Sequence, residues 1–147
     1  METLKFIIKI KASRETVWTV LWGEETYKQW TNVFCEGTYV ETTWNEGDKI
    51  HFLNPNGEGM NSIIEKKISN EFMAFKHISG LKDFKEMPID AETEEWTGAM
   101  ETYRLTEENG FTILEVNIDT LEKYIDYFKT TFPNGLEVLK KLSEEKS

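Results

Sequence analysis

A single cysteine, Cys35, leaves no partner for an intramolecular disulfide, so no covalent staple holds this chain together. One thiol also fits a reducing compartment, and a cytoplasmic location is the expectation. Histidine is nearly as scarce. His51 and His77 are the only two, and neither stands at a short spacing from the other or from Cys35, so no metal site is expected. No apolar stretch reaches the length of a membrane span or a signal peptide, because alternation begins at once in Met1-Glu2-Thr3-Leu4-Lys5. A Gly-x-Ser-x-Gly elbow and a phosphate loop ending in Gly-Lys-Ser/Thr are missing too. Gly57-Glu58-Gly59 begins like a dinucleotide fingerprint but lacks the third glycine and opens a strand, so no cofactor is expected.

Positive charge is also in short supply. Lys and Arg number 17 against 27 Asp and Glu, a formal charge of −10 that repels nucleic-acid phosphates and anionic membranes. Lys66-Lys67 and Lys140-Lys141 have acidic neighbours and read as solvated surface. No nucleic-acid or membrane partner is expected. The acidic run Asp90-Ala91-Glu92-Thr93-Glu94-Glu95 reads in the same way, as a solvated loop.

What the chain does hold is apolar and aromatic side chains, 39% and 13% of 147 residues, enough for a continuous core. The length predicts one domain over residues 1–147. Phe6, Ile8 and Ile10 alternate with Lys5 and Lys9 as in a half-buried strand. Ser13 stands where a helix cap belongs, and Val17, Trp18, Leu21 and Trp22 follow at helical spacing as far as Gly23. Glu24–Trp30 reads as a second short helix with Tyr27 and Trp30 on one side. Turn chemistry at 45–48, 54–57, 69–71 and 108–110 then separates strands expected near 37–43, 49–53, 59–68, 72–78, 95–105 and 111–118, mostly as antiparallel hairpin partners. Residues 79–94 show neither period and read as a long loop, a candidate cavity entrance. Asp119 or Thr120 is expected to cap a final helix carrying Leu121, Tyr124, Ile125, Phe128, Phe132, Leu136, Leu139 and Leu142, kinked or interrupted at Pro133 and Gly135. The sum is an α+β fold in which a curved antiparallel sheet wraps a long C-terminal helix, with two short helices after the first strand.

Strand parity sets the facing. With Glu41, Lys49, Glu65, Lys76, Arg104 and Glu115 in water, Val40, Ile50, Phe52, Ile64, Phe75, Tyr103, Leu114 and Val116 turn inward, and so do Met60, Ser62, Met73, His77 and Glu101. His51 points outward, and Trp22 and Trp44 are left to the surface. The inward set could pack solid or enclose a pocket. Adaptable methionines and a few polar groups in an apolar wall favour a pocket. The candidate ligand-contacting residues are Trp30, Phe52, Met60, Met73, Phe75, His77, Glu101, Tyr103, Tyr124 and Phe128.

The order of elements, with Val17-Trp18, Trp30-Thr31, Gly37-Thr38-Tyr39-Val40-Glu41, Trp44-Asn45-Glu46-Gly47, Gly59-Met60, His77-Ile78-Ser79-Gly80 and Trp96-Thr97-Gly98, resembles the START-like (SRPBCC) superfamily. Within it the chain looks most like bacterial homologues of the activator of the heat-shock-chaperone ATPase. The resemblance spans 4–142 and implies a helix-grip fold, as in the birch-pollen allergen, with a deep hydrophobic cavity. Its motifs belong to the scaffold, so no catalytic residue is carried over.

Three functions stay open at this stage. The first is binding of a small hydrophobic or amphipathic molecule between the final helix and the sheet. The second is a cyclase- or hydrolase-type enzyme in which a His77–Glu101 pair moves protons. The third is interaction with a chaperone, as the resemblance implies, with a homodimer as a further partner. Cys35 has no activating neighbour in sequence and reads as an ordinary buried or half-buried thiol.

Overall fold

In the computed structural model, which describes residues 1–146, the chain begins with β1 (Glu2–Ile10), followed by two helices, α1 (Arg14–Trp22) and α2 (Glu24–Thr31). Ser13 caps α1, its side-chain oxygen accepting from the Thr16 amide at 3.2 Å. Replacing Ser13 by Ala is expected to cost about 1 kcal/mol, read as a lower urea midpoint with an unchanged slope. Gly23 closes α1 by donating its N–H to the Thr19 carbonyl at 2.8 Å, and its own carbonyl starts α2.

The remaining strands are β2 (Tyr39–Thr42), β3 (Lys49–Leu53), β4 (Gly59–Ile68), β5 (Phe72–Lys82), β6 (Lys85–Glu86), β7 (Met100–Glu108) and β8 (Phe111–Thr120). They form one antiparallel sheet in the order β1-β8-β7-β5-β4-β3-β2, with β6 paired to β5. The final helix, α3 (Ile125–Lys146), crosses the concave face against β1, α1 and α2. Sheet and helix grip a core that includes Ile10, Val17, Leu21, Ile64, Leu114 and Leu139, all fully buried.

Asn109 and Gly110, at φ 52° and 84°, form the two-residue turn that joins β7 to β8, the geometry such a pair favours. The expected long loop at 79–94 is different. Backbone pairing carries β5 on to Lys82, and Asp83 and Phe84 then turn the chain tightly at φ 52° and 64°. Asp83 tolerates such a φ, but Phe84 does not favour it, so the pair gives little turn signal in sequence. Likewise β7 starts at Met100 rather than 95, because residues 93–95 form a short 3₁₀ turn and Gly98 turns the chain at φ 88°.

Three further expectations are corrected. Asp119 and Thr120 cap no helix: they still pair with β1, and Leu121 instead precedes a 3₁₀ turn at Glu122–Tyr124. Pro133 does not break α3, which is continuous through it. Its ring faces solvent while Phe132, Leu136 and Leu139 are buried, and that packing outweighs the one lost backbone bond. Gly135 lets helices approach, since a Cβ there would lie 3.0 Å from the Trp30 carbonyl oxygen. Trp22, finally, is buried rather than exposed. Its ring sits within 5.6 Å of Trp44, 5.3 Å of Phe75 and 5.0 Å of Tyr103, and Trp44 is half-buried beside it.

Candidate functional site

Between α3, α2 and the concave sheet lies a cavity of about 450 Å³, within the range of small-molecule sites. Ten of its twenty lining residues carry a phenyl, phenol or indole ring, so the wall is apolar in the main. The sheet contributes Phe52, Met60, His77, Glu101 and Tyr103; α2 contributes Tyr27 and Trp30; Phe128 and Phe132 come from α3. Tyr124 and Tyr127 line the cavity yet remain 46% and 43% exposed, which puts them at its mouth. The Tyr127 hydroxyl donates to the Phe34 carbonyl at 2.7 Å, tying the start of α3 to the chain just after α2. No residue of 79–94 lines the cavity, so the expected entrance loop is not at its wall.

Of the ten candidate contacts, Trp30, Phe52, Met60, His77, Glu101, Tyr103, Tyr124 and Phe128 line this space. Met73 and Phe75 do not, although parity puts them on the correct face. Both face the concave side but have no exposed surface, and the Phe75 ring is covered by Trp22, Phe52 and Tyr103. Facing is a property of the strand, whereas reaching the cavity depends on what lies above. Sequence reasoning missed Tyr27, Phe34, Trp96, Tyr127 and Phe132 as walls. Tyr27 could have been found one helical turn from Trp30, and Trp96 in the Trp96-Thr97-Gly98 motif that was assigned to a strand.

Four polar side chains form a line across three strands at the cavity floor. Ser62 Oγ on β4 lies 2.6 Å from His77 Nδ1 on β5, and His77 Nε2 lies 3.1 Å from Glu101 Oε1 on β7. The Tyr103 hydroxyl donates to the other carboxylate oxygen, Oε2. A register shift between Asn61 and Ser62 brings Ser62 opposite His77, while Asn61 stays opposite Ser79. A carboxylate only accepts, so the network assigns the imidazole proton to Nε2, and neutral Nδ1 then accepts from the Ser62 hydroxyl. Ser62 has no exposed surface and does not line the cavity, so a ligand meets the rest of the line, His77, Glu101 and Tyr103. A serine nucleophile acting on a cavity ligand is incompatible with that arrangement.

Burial, and then the negative field of Glu101, push the phenols of Tyr27 and Tyr103 well above their ordinary value of 10.0. Both stay protonated donors. Folded values above unfolded ones mean that the unfolded chain releases these protons first. Their contribution to stability is therefore complete below pH 10.0 and is lost as pH rises through the folded values. Alkaline titration is expected to raise phenolate absorbance from these two residues only together with loss of circular dichroism. Ionisation of both in an intact fold would contradict it.

The His51 ring, expected to point outward, lies 3.0 Å from Glu86 Oε2 on β6, outside the cavity. Cys35 is exposed rather than half-buried. Among the described residues no three His, Cys, Asp or Glu side chains converge to hold a metal ion, and no helix is long and apolar enough to cross a membrane.

Solved structures share this architecture. The solution structure of the Aha1 dimer from Colwellia psychrerythraea matches with a TM-score of 0.74 at 21% identity, over 98% of this chain and 97% of that one. A protein from Cytophaga hutchinsonii gives 0.71 at 22% identity, over 99% and 96%. The crystal structure of CalU16 from Micromonospora echinospora gives 0.67 at 14% identity, over 98% and 77%. The chain has the START-like helix-grip fold. No protein-family model matches the sequence, and no curated protein does either. The START-like likeness therefore rests on shape: α3 held by a curved sheet, α1 and α2 after β1, and a cavity where helix and sheet part.

Proposed function

We propose that this protein binds a small hydrophobic or amphipathic molecule in the cavity between α3 and the sheet, without covalent chemistry. The observation that carries the reading is a space of about 450 Å³ walled half by aromatic rings and floored by a hydrogen-bonded polar line. Such a combination supplies apolar contact area together with groups that fix orientation. The START-like fold, which this chain shares with CalU16 and Aha1, supports it. Trp30 and Trp96 line the space, so a saturable change in tryptophan fluorescence is expected from at least one member of a panel of fatty acids, phenols and polycyclic aromatics. A flat response across the panel would end this reading.

The hydrogen bonds joining His77, Glu101 and Tyr103 favour a second reading, in which the same line moves protons on a cyclase-type substrate. It requires His77→Ala to abolish turnover and leave ligand affinity nearly unchanged. Equal turnover in the variant removes it. The likeness to a structure described as a dimer supports a homodimer as a partner reading, and the sequence resemblance to activators of the heat-shock-chaperone ATPase supports a chaperone as another. Light scattering of the purified chain tests the first, and a chaperone pull-down tests the second.

A further inference from the structure

The cavity's charges are all of one sign. No lysine or arginine lines it, and its acidic residues are Glu101 and Asp119. Both carboxylates take one bond on each oxygen, so they differ in their partners and not in their number of bonds. Asp119 holds the sheet together: Oδ1 accepts from the Thr3 hydroxyl at 2.6 Å and Oδ2 from the Met100 amide at 2.9 Å. Glu101 accepts from His77 and Tyr103, which both line the cavity with it, and its side chain keeps 21% of its surface accessible. A carboxylate offers about four acceptor positions, so about two remain unused here.

We propose that the cavity selects ligands with a hydrogen-bond donor, a protonated amine above all, on an aromatic or otherwise apolar body, and that Glu101 is where the donor docks. The inference rests on the ligand-binding reading and specifies the class of ligand. His77 and Tyr103 spend their protons on Glu101, so the line presents the cavity with acceptors. Tyr27, Trp30, Trp96 and Phe128 line the same space, and aromatic rings attract cations to their faces. A net charge of −10 adds long-range attraction for cations and repulsion for anions. An anionic headgroup would meet Glu101 in a partly desolvated space with no basic side chain to offset it.

The test uses the full chain and three probes of matched shape: phenethylamine, phenethyl alcohol and hydrocinnamate, titrated calorimetrically at neutral pH and moderate salt. The amine is expected to bind at least about tenfold more tightly than the carboxylate, with the alcohol between them. Glu101→Gln, which keeps the shape and can still accept from Tyr103, is expected to bring amine and alcohol within about threefold of one another. Equal or tighter binding of hydrocinnamate overturns the inference and leaves the ligand-binding reading standing. An amine preference that persists in Glu101→Gln overturns it too, by assigning the preference to net charge. If the variant does not fold, the native chain in high salt decides, since attraction to the acidic surface is screened there and a contact inside the cavity much less so. Loss of the preference in high salt counts against the proposal. Binding of none of the three, with a flat fluorescence panel, removes both readings together.

Discussion

Gly59→Ala is expected to be the most damaging single methyl in this protein. Gly59 opens β4 opposite Leu53 at φ 155°, and a Cβ there would sit 1.7 Å from the carbonyl oxygen of Phe52 and 2.8 Å from its carbon. Both atoms are backbone, so no rotamer change relieves the clash and the β3–β4 hairpin must open. A loss of about 3 kcal/mol or more is expected, against a total of about 5–15 kcal/mol for an ordinary domain. The site suffers with the fold, because Phe52 pairs directly with Met60 and both are cavity walls. Gly47→Ala is the control. Its φ of 90° is also unfavourable for alanine, but nothing lies within 4 Å of the added Cβ, so about 1 kcal/mol is expected. Urea unfolding of the pair separates steric clash from backbone strain, and equal midpoints would refute the hairpin geometry described here.

Trp30→Ala carries the second largest effect. The side chain is 1% exposed, donates from Nε1 to the Leu21 carbonyl at 3.0 Å and packs edge-on against Tyr27, Phe34 and Tyr103. Truncation removes those contacts, leaves the Leu21 oxygen without its donor and joins an indole-sized void to the cavity. About 3–5 kcal/mol is expected for such a change. Trp30→Phe keeps part of the packing and loses the hydrogen bond, so it should fall between. A Trp30→Ala protein as stable as the parent would mean that α2 is not held to the sheet through this ring.

The comparison of sequence and structure turns on what alternation can and cannot carry. Parity put His77 and Glu101 on one face, and the structure pairs Phe75 with Glu101, which leaves His77 as a diagonal neighbour within reach of the carboxylate. Register between distant strands is not written in either strand alone, so the contact itself could not be read in advance. The same limit explains Met73 and Phe75, which face the right way but are fully buried, Phe75 beneath Trp22 and Phe52. Turns containing Asn-Gly were legible because those residues tolerate positive φ, whereas the Asp83-Phe84 turn was not. Pro133 misled in the opposite direction. A local rule predicts a kink or an interruption, and the interruption is absent because the buried stripe on either side of it comes from tertiary packing that no local rule contains.

The polar line at the cavity floor is closed at one end, since Ser62 has no exposed surface, and its other end, at Glu101, meets the cavity. His77 and Glu101 both line that chamber, so the proton on His77 Nε2 lies where the contents of the chamber meet the wall. Its exchange with water is expected to slow when a seated ligand displaces solvent from these two residues, which would make it a built-in gauge of occupancy. The chain thus holds an unlabelled probe that distinguishes filling from mere contact with the outer surface, whatever the ligand proves to be.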